Sequence, residues 1–423
     1  MLSFVFPGQG SQSVGMAKAV VGQSPAARRI FEEANTALGF DLMALCFNGP
    51  DSELQLTTNS QPAILCASVA LLRALEDRTG LTPSVVAGHS LGEYTALVCA
   101  GAFAFADAIR IVRLRGQLMQ EAVPPGVGSM AAIGAAGDVA DALCRDAAQG
   151  QVLSPANYNS PSQTVIAGHT AAVQRAVKLA TDRRIAAKEL KVSAPFHCAL
   201  MQPAADKLKD ALAKVTLQDA KIPVISNVDA VAYQRANEAR ERLTKQVTAP
   251  VRWEMITRKL GDMGVKALIE VGPGKVLTGL TRKIRQDIAA ASCETPADLD
   301  ALAARAELQA YKSGTQATAK AAPRALKDWA DMTKDERDQA ITELVEFDKV
   351  LAQLEAKPHD IYRWISVNKL PTWLVDGELK FHPVQLDAWL GTIGGIAALK
   401  AKEAAEAAAL AAEAQTADAK HAK

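Results

Sequence analysis

"VVAGHSLGEYTA", residues 85–96, runs from small and β-branched residues through Gly88-His89-Ser90-Leu91-Gly92 into a stretch with helical spacing. G-x-S-x-G between a strand and a helix is the pattern of a nucleophile elbow, in which the chain turns sharply and lifts the serine to a helix N-terminus. The same strand-then-turn signature recurs in "LSFVFPG" (2–8), "QTVIAG" (163–168), "IPVISNV" (222–228) and "KALIEVGPG" (266–274). Helix-length segments at 62–78, 105–122, 170–182 and 201–214 lie between these runs. Such alternation predicts an α/β domain with a mainly parallel sheet. The stretch at 127–168, "VGSMAAIGAAGDVADALCRDAAQGQVLSPANYNSPSQTVIAG", reads strand, helix, strand, strand, which suggests a smaller α+β subdomain set into the larger one.

The 423 residues exceed one small domain, and 49% apolar with 22% charged residues suits a chain that buries a sizeable core. A formal net charge of +1 creates no overall field toward nucleic acid or membranes. Six cysteines (Cys46, Cys66, Cys99, Cys144, Cys198, Cys293) form no C-x-x-C pair, so buried reduced thiols are expected rather than disulfides or a zinc site. "MLSFVFPGQGSQ" has no basic segment followed by an apolar run, so no signal peptide is expected. No apolar run approaches the roughly 18 residues of a membrane span. The expectation is a cytoplasmic protein without membrane contact. No metal constellation, P-loop or dinucleotide fingerprint stands out, so neither a metal nor a bound cofactor is expected, and Gly272-Pro273-Gly274 reads as a structural turn.

A serine hydroxyl needs an adjacent base to act as a nucleophile near neutral pH, and Leu91 at the start of the following helix offers a backbone N–H to an oxyanion. Six histidines are present. His89 lies beside Ser90 in the elbow and suits a supporting or substrate-contacting place better than that of the base. His197, in the proline-containing "VSAPFHCALM", and His169 both remain candidates by pattern. About 90 residues of α/β pattern follow His197, whereas an α/β-hydrolase places its histidine near the domain end, which weakens a plain hydrolase reading.

Seven motifs in order resemble the malonyl-CoA:acyl carrier protein transacylases: "FPGQGSQ" (6–12), "GHSLGE" (88–93), "RGQLMQEAVP" (115–124), "NSPSQTVIAG" (159–168), "PFHCALM" (195–201), "PVISNVD" (223–229) and "EVGPGKVL" (270–277). The resemblance spans residues 1 to about 288. It implies a hydrolase-like parallel-sheet domain at 1–126 and 196–290, with a ferredoxin-like insert at 127–195. It also implies transfer of malonyl from malonyl-CoA to the phosphopantetheine thiol of acyl carrier protein in fatty acid biosynthesis, through a malonyl-serine. Ser90 would be the nucleophile and His197 its base. Gln9 and Leu91 would supply oxyanion N–H groups, and Gln246 would orient His197 through its carbonyl. "PVRW" departs from the pattern, carrying Arg252 where the family often has Gln. Arg115 would bind the malonyl carboxylate; Arg110 and Arg113 share its segment, and only the motif match selects among the three. Phe196 and His89 would line the substrate pocket, Phe196 suiting a malonyl rather than a branched acyl group. An acidic carrier would meet a basic rim drawn from Arg183, Arg184, Lys188 and Lys191, and from Lys275, Arg282, Lys283 and Arg285.

Beyond residue 290 the composition shifts. Residues 291–325, containing "SGTQATAKAAPR", read as a linker, and 392–423 as an Ala-rich tail. Four of the five tryptophans lie beyond 325, giving 326–391 apolar anchors for a small, mostly helical module. Asp376-Gly377 is a hairpin signal, and "YRWI" (362–365) before it weakly resembles excisionase-type winged helix-turn-helix domains, which would imply nucleic acid binding. Acidic residues outnumber basic ones there, which argues against it and toward docking or oligomerisation. A fatty acid transacylase, an acyltransferase serving a polyketide or malonate pathway, and a non-catalytic scaffold whose C-terminal module binds DNA or protein are thus the competing readings. The intact Ser90, His197 and Arg115 favour an enzyme.

Overall fold

Strand β1 (Leu2–Phe6) pairs in parallel with β2 (Val85–Gly88), and Phe6 lies opposite Gly88. The loops that follow, carrying Gln9 and Ser90, therefore leave the same carboxyl edge of the sheet side by side, where open α/β sheets place their ligand sites. The computed structural model describes residues 1–305 except 191 and 193, residues 308 and 311, and three strands at 345–346, 373–375 and 378–381.

The remaining strands of the core are β7 (Val224–Ile225), β8 (Ala232–Tyr233), β9 (Ala267–Val271) and β10 (Ala289–Cys293), in the order β10-β9-β1-β2-β7-β8. All neighbours are parallel except β7 and β8. Every residue of β1 is buried, as expected of a parallel strand covered on both faces. Alternation along β1 sends Leu2, Phe4 and Phe6 into one core with the Thr57–Thr79 and Phe105–Glu121 helices, and Val5 into another with Trp253, Leu260 and Leu277.

Between the Phe105–Glu121 helix and residue 195 the chain forms a second sheet: β3 (Gly128–Ile133), β4 (Leu153–Ser160), β5 (Gln163–His169) and β6 (Ala187–Glu189), ordered β4-β5-β3-β6 and antiparallel throughout. With helices Gly137–Ala148 and Thr170–Asp182 it has the β-α-β-β-α-β order of a ferredoxin-like unit. "QTVIAG" accordingly pairs here, not in the parallel sheet.

The linker expected from 291 does not begin there. Strand β10 continues to Cys293, and a helix spans Pro296–Ala304, opened by a capping box between Thr295 and Asp298 and burying Leu299 and Leu302. Alanine-rich composition is here compatible with order, because Leu299 and Leu302 at helical spacing supply packing. Residues 312–325 of that linker, the Ala-rich tail and most of the 326–391 module lie outside the described residues. In that module β11 (Val345–Glu346), β13 (Glu378–Phe381) and β12 (Trp373–Val375) make an antiparallel sheet, with Val375 opposite Glu378 so that Asp376 and Gly377 connect the strands. Among the described residues, no helix is long and apolar enough to cross a membrane.

The elbow tolerates no side chain at its glycines: a Cβ on Gly88 would collide with the Gly92 backbone, and one on Gly92 with the Phe6 carbonyl. Helix propensity alone would make Gly92→Ala stabilising by about 1 kcal/mol. Backbone collision predicts the opposite sign, a loss of about 1–3 kcal/mol, read as a lowered unfolding midpoint. A raised midpoint would refute the packing argument.

Candidate active site

Ser90 has φ 51°, a left-handed conformation that a non-glycine residue adopts only when its surroundings impose it. Here β2 and the Gly92–Cys99 helix hold the turn from both sides. Asn227, just after β7, clamps it: Asn227 Oδ1 accepts the Ser90 N–H at 2.6 Å and its Nδ2 donates to Gly88 O at 2.6 Å. The Ser90 N–H is thus occupied. The N–H groups of Gln9 and Leu91 have no acceptor among the described residues.

His197 sits in its own left-handed turn (φ 60°) ahead of the Gln202–Lys214 helix, and is buried. Its Nε2 lies 2.7 Å from Ser90 Oγ, while Nδ1 faces two carbonyls, Gln246 O at 2.8 Å and Ala249 O at 3.2 Å. Carbonyls only accept, so Nδ1 carries the hydrogen and the Nε2 lone pair accepts from Ser90 Oγ–H. His169 is elsewhere, accepting the Val152 N–H. Burial pushes the His197 pKa down to about 3, and the positive Arg115 adds to that.

Arg115 is 1% exposed and projects from the Phe105–Glu121 helix beneath the serine. Its Nη1 donates to Gln61 Oε1 (2.7 Å) and its Nη2 to Ser90 Oγ (3.1 Å) and Gln246 Oε1 (3.0 Å). The neighbouring Gly116 explains the "RG" pair, since the Thr57 and Thr58 backbone of the adjacent helix packs directly against it and a side chain there would push Gln61 away. That helix starts at Thr57, ahead of Pro62, so Gln61 belongs to it. Arg110 points outward to Asp107 and the Ala37 carbonyl, and Arg113 stacks over Phe40 at 4.2 Å. All three partners of Arg115 are neutral, and no acidic side chain among the described residues is within ion-pair distance of it.

These groups line a pocket of about 560 Å³, into which Gln9, His89 and Phe196 also face, with Met130 and Asn157 contributed by the smaller sheet and Leu190 by the chain just after β6. His89 Nε2 lies 3.0 Å from Asn159 Oδ1, its ring is 5.6 Å from that of Trp253, and burial lowers its pKa. Gln9 Nε2 donates to Thr57 Oγ1 (3.1 Å). Of the rim candidates, Arg183 pairs with Asp146 and Arg285 with Asp262 and Asp287. Arg184, Lys188, Lys275, Arg282 and Lys283 are exposed, and Lys191 lies outside the described residues. Among the described residues no group of three or more His, Cys, Asp or Glu side chains is placed to hold a metal.

Residues 3–319 match the acyl transferase domain family. The chain belongs to that family. This acyl transferase is 50% identical over 310 residues to the malonyl CoA-acyl carrier protein transacylase of Escherichia coli (strain K12), covering 72% of this chain and 99% of the relative. It is 45% identical over 304 residues to the Bacillus subtilis (strain 168) protein of the same name, with 71% and 95% covered. The structure of an acyl carrier protein S-malonyltransferase from Vibrio cholerae O1 biovar eltor superposes with a TM-score of 0.70 at 48% identity, over 71% of this chain and 99% of that one. A malonyl-transacylase solved in complex with a type II PKS acyl-carrier protein superposes with a TM-score of 0.70 at 47% identity, covering 71% and 98%.

Pattern reading of the acyl transferase passed over Gln61, Glu93, Asn227 and Tyr233. Glu93 and Asn227 lie inside quoted motifs, yet a lone Glu or Asn carries no spacing that announces a buried hydrogen-bond partner. Glu93 is fully buried and accepts from Tyr233 Oη (2.8 Å), Gln246 Nε2 (2.7 Å) and the Asn227 N–H (3.1 Å). Burial pushes its pKa up to about 7, against the pull of those hydrogen bonds.

The depressed His197 pKa predicts an uncharged ring in the free enzyme where an ordinary histidine, near 6.5, is mostly protonated. Ring ¹⁵N shifts should report His197 neutral at about pH 5. A midpoint near the ordinary value would contradict the burial argument.

Proposed function

We propose that this acyl transferase moves a malonyl group from malonyl-CoA to the phosphopantetheine thiol of an acyl carrier protein, through an ester on Ser90. The observation that carries the reading is Arg115: a buried guanidinium with neutral partners alone, 3.1 Å from the nucleophile. An unpaired buried charge is costly, and a carboxylate-bearing acyl group supplies the missing anion through a bidentate contact.

Ser90 Oγ attacks the thioester carbonyl as its proton passes to His197 Nε2. The electrons displaced onto oxygen are held by the N–H groups of Gln9 and Leu91. Collapse expels the CoA thiolate, which takes the proton from His197. In the second half the carrier thiol gives its proton to His197 and attacks the ester, and Ser90 leaves and regains the proton. Gln246 and Ala249 carbonyls keep the His197 tautomer through both halves.

Arg115 and His197 are electrostatically linked. A positive Arg115 opposes an imidazolium, and a malonyl carboxylate seated on Arg115 offsets that part of the opposition, burial remaining the larger cause. Acetyl-CoA brings no such carboxylate. No separate cofactor enters these steps, because the phosphopantetheine arrives as part of the carrier. Fatty acid biosynthesis is the pathway this transfer serves. A cytoplasmic place accords with six free cysteines. Exposed Lys275, Arg282 and Lys283 suit an acidic carrier. The acidic excess of 326–391 argues against nucleic acid as a partner.

Intact-mass measurement after mixing with malonyl-CoA should show a malonyl adduct on Ser90 that holo carrier protein removes; absence of the adduct would sink the reading. Arg115→Ala should lower kcat/KM for malonyl-CoA by roughly 100-fold while affecting acetyl-CoA far less. An equal loss with both thioesters would show that Arg115 does not read the carboxylate.

A further inference from the structure

Gln246 serves the site at both ends. Its main-chain carbonyl holds His197 Nδ1, and its side-chain amide bridges Arg115 to Glu93. An amide presents an oxygen and a nitrogen of nearly equal shape, and what surrounds it decides which way it turns. Here Nε2 donates to two acceptors, Glu93 Oε2 at 2.7 Å and the Ser90 carbonyl at 3.0 Å. That leaves Oε1 facing Arg115 Nη2. The same carboxyl oxygen accepts the N–H of Asn227, whose side chain clamps the elbow, and Oε1 of Glu93 is tied to Tyr233 Oη.

We propose that Glu93 is a positioning residue of the transfer reaction: by orienting the Gln246 amide it aims the Arg115 fork at the acyl carboxylate, and by holding Asn227 it fixes the Ser90 turn. It does not touch the substrate; Gln246 and Asn227 stand between. Without an acceptor at Glu93 the Gln246 amide can turn its nitrogen toward Arg115, donor against donor, and the guanidinium loses one of its three partners. Glu93→Gln keeps the network, because its amide oxygen can face Gln246 and Asn227 while its NH₂ faces a Tyr233 hydroxyl turned to accept.

The inference rests on the roles proposed for Ser90 and Arg115, and the test separates the two. Wild-type enzyme, Glu93→Ala and Glu93→Gln are compared for rates of Ser90 acylation by malonyl-CoA and by acetyl-CoA. A residue acting only on folding lowers both rates together. A residue that aims Arg115 lowers the malonyl rate selectively. Glu93→Ala should reduce the malonyl:acetyl ratio of kcat/KM by about tenfold, and Glu93→Gln should restore it to within a few-fold of wild type. Gln246→Met, which keeps the carbonyl to His197 and loses the amide, should show the same fall in ratio and carries the test if Glu93→Ala does not fold. An unchanged ratio in a folded Glu93→Ala or in Gln246→Met, or a Glu93→Gln as impaired as Glu93→Ala, overturns the positioning role. Absence of malonyl preference in the wild type would instead overturn the functional reading beneath it.

Discussion

A guanidinium taken out of water beside a nucleophile must be hydrogen-bonded, and that requirement ties the site together. Arg115 draws on Gln61, Ser90 and Gln246, which belong to three segments far apart in the chain. Bringing them within reach requires the Thr57–Thr79 and Phe105–Glu121 helices to touch at Gly116, and the elbow to stand at the edge of β2. The end of the Ala236–Gln246 helix must also come to rest against Glu93. Neutral partners take up Nη1 and Nη2 without cancelling the charge, and the buried Nε has no hydrogen-bond partner among the described residues. What remains is a buried positive charge lining the pocket.

Burial first, and that same charge second, depress the imidazole of His197. An imidazole in a buried site beside a guanidinium stays neutral, and its Nε2 accepts from Ser90 Oγ–H. In the transfer proposed above, the interaction of Arg115 with His197 links specificity to catalysis. In place of the carboxylate of a Ser-His-Asp arrangement, two backbone carbonyls face His197 Nδ1 and fix its tautomer.

Much of this was legible from local pattern. Short β-branched runs ending in turn residues marked β1, β2, β7 and β9, and helical spacing marked 105–122, 170–182 and 201–214, because burial on one face or two imposes its period on the residues themselves. β10 carries no such signal: "AAASC" has little strand propensity, and its neighbour β9, not its own side chains, makes it a strand. The Thr295–Asp298 capping box was a readable signal that Ala-rich composition obscured.

The amino-acid sequence by itself determined the elbow, the α/β alternation and the inventory of chemical groups, since these depend on neighbours within a few residues. Tertiary structure alone decided which arginine of three is buried, which histidine reaches the serine, and that Glu93 and Asn227 belong to the site. The physical reason is direction. A helix sends Arg110, Arg113 and Arg115 to different sides, and which side becomes interior depends on how that helix packs against segments over fifty residues away. His197 meets Ser90 across 107 residues of chain and Asn227 across 137, and no local period carries contacts of that range.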